Sequence, residues 1–161
     1  MTLDALVTEI WQHPDCDVTP APARPVSIST YEDLQLPQDV RDFYASCDGA
    51  VLFNNTEYPY AIVPGREVVP PDPAIEGECV CGETTISDTW VIIAHDLNGD
   101  KIALDLHPSR LGRCYDCFFG NDYQVIATSF TDFLTRLYRN GGDYPYWLKD
   151  DFEPLPDACD F

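Results

Sequence analysis

The segment WVIIAHDLNGDKIALDL, from Trp90 to Leu106, constrains this chain more than any other. Trp90 to Ala94 is an unbroken apolar run, as expected of a strand covered on both faces. Asn98-Gly99 follows, a strong short turn signal because both residues tolerate positive φ. Ile102, Leu104 and Leu106 then alternate with Ala103, Asp105 and His107. The pattern predicts two strands joined by a tight turn. In this reading Asp100 finishes the turn and Asp105 bonds a neighbouring loop. The alternating Asp96, Asn98 and Asp100 also raise a calcium loop. That template needs glycine at its sixth position and a bidentate glutamate at its twelfth. Counting from Asp96, those places hold Lys101 and His107, so no calcium is expected.

The remaining segments supply helices and further strands. Leu3, Leu6, Val7, Ile10 and Trp11 form one helical face over residues 3–12, with Thr2 as cap and Pro14 as stop. A second helix is predicted from Pro37 to Cys47, with Pro37 at its first position and Gly49 just past its end. Between them lies a Pro- and Ala-bearing connector with one extended piece at VSIS. AVLFN and YAIV read as a hairpin, GREVV as a turn of helix, CYDCFF and QVIA as strands. Residues 70–89, rich in Pro, Gly and acids, read as a long loop, either mobile or part of a binding surface. Ser129 with Asp132 opens a last helix whose face is Phe130, Phe133, Leu134, Leu137 and Tyr138. Asn140-Gly141-Gly142 stops it. The element order predicts an α+β fold: one domain over residues 1–161, a single antiparallel-dominated mixed sheet of five or six strands, and helices on one face. Phe43, Tyr44, Trp90, Ile92, Leu104, Phe130, Phe133 and Leu137 are its expected core.

Charge narrows the functions. The net charge is −19, from 28 acids and 9 bases. Such a chain repels phosphate backbones, so direct nucleic-acid binding is not expected. The acidity reads equally as solubility, or the composition of an acidic host, and as steering toward a basic protein. No apolar run approaches a membrane span, and the first residues lack a basic region before an apolar run. The chain is expected to stay in the cytoplasm. Its seven cysteines are an odd number and are expected as reduced thiols. Cys79, Cys81, Cys114 and Cys117 have the count for a zinc site. However, Cys114 and Cys117 lie three apart in a predicted strand and point to opposite faces. No metal or cofactor is expected.

The order of several motifs resembles the SUKH superfamily of fungal cell-wall-synthesis regulators and bacterial toxin-immunity proteins. The stretches are LPQDVRDFYASCDGAVLF (36–53), WVIIAHDLNGDKIALDL (90–106), GRCYDCF (112–118) and VIATSFTDFLTRL (125–137). Pro37, Tyr44 and Asp48-Gly49 take the places of the family's Leu-Pro, helical Tyr and polar-Gly pair. Trp90, Gly99, Asp100 and Asp105 fall in the family's hairpin, and Ser129 and Phe133 in its closing helix. The usual second N-terminal helix is missing. The 70–89 segment is unusually long, and the tail from 143 has no matching counterpart. The resemblance implies binding rather than catalysis, and brings no catalytic motif.

The leading reading is therefore a cytoplasmic immunity protein that blocks a basic toxin domain, a nuclease or deaminase. Glu76, Glu78 and Glu83 in the long loop, and Asp150, Asp151 and Glu153 in the tail, are the first candidates for partner contact because charge concentrates there. The tail also interleaves aromatics with its acids. Trp147 and Phe152 read first as covers for the sheet or a helix, and second as interface anchors. A regulatory scaffold is the alternative. A hydrolase is a weaker one: His95-Asp96 are adjacent in a strand and face opposite ways, and no nucleophile motif appears.

Overall fold

The structure is a computed structural model describing residues 1–24, 28, 31–118 and 123–161. Of the expected extended piece at VSIS only Ile28 is among the described residues, and the end of CYDCFF falls outside them. Helix α1 spans Leu3–Gln12, and Thr2 caps it by accepting from the Ala5 amide at 3.2 Å. Strand β1 is Asp17–Pro20. Helix α2 is Gln38–Ser46, and strands β2 (Cys47–Leu52) and β3 (Tyr60–Ile62) follow. A 3-10 turn at Gly65–Glu67 forms within GREVV, as expected.

Residues 70–89 are not the open loop that composition suggested. They form one helical turn, α3 (Pro73–Glu76), a small hairpin of β4 (Val80–Cys81) and β5 (Thr84–Thr85), and a 3-10 turn at Ile86–Thr89. Asp72 caps α3 by accepting from the Ala74 amide. Ser87 accepts from the Cys79 amide, which closes the insertion on itself. Strands β6 (Trp90–His95), β7 (Lys101–Asp105), β8 (Cys114–Asp116) and β9 (Val125–Ala127) then complete the main sheet, and α4 is Phe130–Asn140.

Among the described residues the main sheet has seven strands in the order β1-β2-β3-β6-β7-β8-β9, every pairing antiparallel. The fold is α+β as expected; the main sheet has one or two strands more than expected and no parallel pair to make it mixed, and β4-β5 form a small second sheet. The register pairs Trp90 with Asp105 and Ala103 with Tyr115, which puts these four side chains on one face. Val91, Leu104 and Cys114 lie on the other. There α1, α2 and α4 pack on one another and on the sheet. The Phe43 and Phe130 rings meet edge to face at 5.1 Å, joining α2 to α4. Seven of the eight expected core residues are buried; Tyr44 is half-buried and donates its hydroxyl to the Val63 carbonyl. Trp11 is 47% exposed, because only Leu6 and Ile10 of α1 turn fully inward.

The opposite face is covered without helices of any length. The Trp90 and Tyr115 rings stack at 4.0 Å on it, and Tyr123 closes over Trp90. Tyr123 donates to the Glu76 carbonyl, which brings α3 down onto the sheet. The C-terminal tail arrives from the other side. Arg113 donates to the carbonyls of Asp157, Ala158 and Asp160, and Phe161 lies under Arg110 at 4.5 Å. A disulfide between Cys81 and Cys159 joins the insertion to the tail. The two segments that depart from the family pattern are therefore one structural unit. The expectation of reduced thiols is corrected at these two positions.

Two motif positions do other work than expected. Pro37 is the N-cap of α2 rather than its first helical residue. Gly49 does not end that helix. It sits inside β2 with φ +98°, where an added Cβ would lie 2.6 Å from the Ile62 carbonyl oxygen. Beside it, Asp48 accepts from the Gly65 amide. The polar-Gly pair thus lets the start of β2 close on the end of β3. Gly49→Ala is expected to cost ~1–3 kcal/mol from the left-handed backbone alone. A lowered chemical-denaturation midpoint reads this out; an unchanged midpoint would contradict the close approach.

Candidate functional site

Three chain turns and the start of the tail meet at one end of the sheet. The β2–β3 loop brings Tyr58 and Tyr60, the β6–β7 loop brings Asp96 to Asp100, and the end of β8 brings Asp116 and Phe118. The tail adds Tyr144, Trp147 and Leu148, and together they enclose a cleft of about 370 Å³.

Each wall has a local cause. Asp96 accepts from the amides of Asn98 and Asp100, both at 2.9 Å, and its own amide donates to the Asp100 carbonyl. Its side chain templates the turn, so the connection runs from Asp96 to Asp100 and is longer than the tight turn the Asn98-Gly99 signal suggested. Gly99 alone adopts positive φ in it, at +87°; Asn98 does not. Gly141, at φ +65°, ends α4, and the Tyr58 amide donates to the Gly142 carbonyl. The tail then drops against the β2–β3 loop, where Tyr58 and Tyr144 meet edge to face at 5.6 Å. A 3-10 turn at Tyr146–Leu148 buries Trp147, whose indole Nε1 donates to Asp116 Oδ2 at 3.0 Å. Tyr146 donates to the Ile126 carbonyl at 2.7 Å and locks that turn to β9.

The floor is acidic. Asp116 is buried, and burial pushes its carboxyl pKa up against the hydrogen bonds from Trp147 and the Phe118 amide; Asp96 adds to the rise. Asp100 is also raised, first by burial and then by Asp96 beside it, with Lys101 opposing. Among the described residues the ion pairs are Arg66–Glu67, Arg110–Asp105, Arg136–Asp132 and Lys149–Asp143, and none reaches this floor. The cleft therefore presents acids that lack a basic partner between aromatic walls, with the Asp96 and Asp100 carboxyls against each other, an arrangement suited to a cation.

The sequence did not bring these residues together. Tyr58, Tyr60, Leu97 and Tyr144 carry no motif, and only the aromatic-acid mixture of the tail hinted at Trp147. Trp147 is a buried cover, as its first reading held; Phe152 is half-buried against Tyr146. Of the six acids expected at the surface, Glu78, Glu83, Asp150, Asp151 and Glu153 are not buried. Glu76 is. It lies at the end of α3, where Tyr123 holds its carbonyl, and burial raises its pKa. The composition of 70–89 could not show this, because an acidic residue inside a folded insertion counts the same as one in a loop.

The histidines make local bonds. His95 Nδ1 lies 2.9 Å from the backbone oxygen of Asp96, not its carboxylate. His107 caps the 3-10 turn at Pro108–Arg110, and His13 packs between Phe53 and Tyr138. Of the four cysteines considered for zinc, Cys81 is in the disulfide. The Cys114 sulfur turns toward the Ser129 carbonyl on the helix side. Cys117 lies toward Glu76 and Cys79 on the other side, and burial raises the pKa of the Cys117 and Cys79 thiols. No group of three or more His, Cys, Asp or Glu able to hold a metal ion occurs among the described residues. No helix among them is long and apolar enough to cross a membrane.

The comparisons with known proteins bear on the whole chain. Immunity protein YokJ of Bacillus subtilis (strain 168) is 42% identical over 165 residues, covering 99% of this chain and 97% of that protein. That alignment includes the insertion and the tail. No solved structure gives a significant match. The sequence model of the SMI1/KNR4 family (SUKH-1) matches residues 29–136, which hold α2, β2, β3, the insertion, β6 to β9 and the start of α4. On both matches, the chain belongs to the SMI1/KNR4 family (SUKH-1).

Proposed function

We propose that this protein is a cytoplasmic immunity protein that binds and neutralises a cognate toxin with a basic active domain, of the nuclease or deaminase class. The observation that carries the reading is the near full-length identity with a Bacillus subtilis immunity protein. The charge of −19 supports it. A toxin that acts on nucleic acid needs a basic cleft for phosphate, and an acidic inhibitor matches that field, associates fast and occludes the site. The acids Glu78, Glu83, Asp150, Asp151 and Glu153 are the proposed steering contacts. Neither nucleic acid nor a membrane takes part, and the protein turns nothing over itself. The disulfide is not the only hold on the tail, because Arg113 and Arg110 also engage its last residues.

The test is co-expression with a candidate toxin domain from a neighbouring gene, followed by binding of the purified pair. Growth should be restored. The association rate should fall about tenfold or more as salt rises from low levels to ~0.5 M, since exposed charges are screened over ~10 Å at 0.1 M. Reversing Asp150, Asp151 and Glu153 to lysine should slow association while leaving the melting temperature nearly unchanged. An on-rate indifferent to salt rejects steering. A natural partner without toxic activity moves the protein to the scaffold class.

A further inference from the structure

We infer that the cleft between Tyr58, Asp100, Asp116 and Tyr144 is the anchor point of that interface, and that it receives an arginine side chain presented by the basic partner. This inference rests on the immunity reading for the identity of the partner, but not for the chemistry of the cleft.

The first observation is where apolar surface is left exposed. Among the described residues twelve large hydrophobic side chains are exposed, and five of them, Tyr58, Leu97, Phe118, Tyr144 and Leu148, line this one cleft. Scattered single exposures need no explanation, but a concentration around a concavity marks an interaction site. The second observation is charge. Asp96, Asp100 and Asp116 line the same cleft, and none is in an ion pair. Lys149, just past the tail wall, is taken up by Asp143 and Asn140. Lys101 follows Asp100 at the start of β7 and forms no ion pair with these carboxylates.

Arginine is the side chain that satisfies both parts. Its guanidinium is planar, weakly hydrated and able to fork onto carboxylate oxygens while lying against aromatic rings. A lysine ammonium is more strongly hydrated and has no flat face to lay on Tyr144 or Tyr58. A metal ion fits poorly. Asp96 Oδ1 already accepts two amides, and the Asp116 oxygens accept from Trp147 and the Phe118 amide. The Asp100 carboxyl, by contrast, meets only the neighbouring Asp96 carboxyl, a contact between two acids that an incoming cation would relieve, and it is the natural first contact. The cleft also joins two kinds of segment. Its loops belong to the family fold, while Tyr144 to Leu148 lie beyond the residues that the family's sequence model matches. One fold can thus present a different wall to a different partner.

The experiment is an NMR titration of the ¹⁵N-labelled full chain with N-acetyl-arginine amide, and in parallel with the lysine and citrulline amides. Citrulline keeps the shape and removes the charge. Arginine should move the Trp147 indole and the amides of Leu97 and Gly99 saturably, with a Kd on the order of millimolar. Lysine should bind more weakly and citrulline should leave these signals in place. Asp100→Asn should weaken arginine binding about tenfold, the loss expected for a charge-assisted hydrogen bond. Tyr144→Ala, at an exposed wall, should weaken it with the rest of the spectrum unchanged. Equal shifts from citrulline, stronger binding of lysine, or shifts spread evenly over the surface acids would each overturn the inference. Because the titration contains no toxin, its failure is separable from that of the immunity reading. A protein that neutralises a toxin while its cleft ignores arginine sinks only this inference. One that binds arginine here and neutralises nothing sinks only the other.

Discussion

Replacing Asp105 by alanine is expected to cost ~3–5 kcal/mol, the range for breaking a buried ion pair by removing one partner. Asp105 is fully buried and accepts five hydrogen bonds: from Thr89 Oγ1 at 2.6 Å, Trp90 Nε1 at 3.1 Å, the His107 amide at 2.9 Å, Arg110 Nε at 2.8 Å and Tyr115 Oη at 3.0 Å. The carboxylate thus ties β6, β7, β8 and the 3-10 turn after β7 into one point beneath the insertion and tail. Alanine leaves the Arg110 guanidinium, whose side chain is 3% exposed, without a counter-charge. It also strands the indole and the phenol. Asp105→Asn should fare little better, because the new amide nitrogen would face donors where a carboxylate oxygen now accepts. The control is the double replacement of Asp105 by alanine and Arg110 by methionine, measured beside both single variants. If the loss comes from the uncompensated charge, the double variant should recover part of it, a non-additivity that a denaturation cycle measures directly. Purely additive losses would place the cost in the lost hydrogen bonds instead.

Phe133→Ala is the second large effect, again ~3–5 kcal/mol, here through a cavity in the helix-side core. Phe133 is fully buried, as are Phe130 and Leu134 beside it on α4. These residues pack where α1, α2 and α4 converge on the sheet, so the neighbours are fixed from several directions and cannot collapse into the space. The size is a large fraction of the ~5–15 kcal/mol that holds a typical domain. Chemical denaturation of the purified variant checks it. A variant with an unchanged midpoint would mean that Phe133 does not occupy the core.

Much of this protein was legible in residues that lie close together in the chain. The 3.6 period of α4 and the apolar run of β6 are readable from one window, because local geometry decides which face each side chain takes. So is the cap of α4. The Asp132 amide donates to Ser129 Oγ at 3.0 Å, although the returning bond goes to the Thr128 amide rather than that of Ser129. The β6–β7 pairing followed from its turn signal even though the turn itself is built by the Asp96 side chain. Charge, a property of composition alone, is also what the proposed basic partner rests on.

What the sequence could not carry is everything that depends on two distant segments meeting. Cys81 and Cys159 are 78 residues apart, so no spacing rule could pair them, and reduced thiols were the reasonable expectation. Glu76 is buried in an insertion that Tyr123, 47 residues on, holds to the sheet through the Glu76 carbonyl. Gly49 looked like a helix stop until β3 was laid beside it and the Ile62 carbonyl came within reach of its missing Cβ. The cleft is the extreme case. Tyr58, Asp100, Asp116 and Trp147 come from four separate segments, and the Trp147–Asp116 hydrogen bond spans 31 residues. Periodicity reports which way a side chain points within its own element. Only the packed sheet decides which side chains from other elements it will face, and the acid floor and aromatic walls of the cleft exist only through that second kind of neighbour.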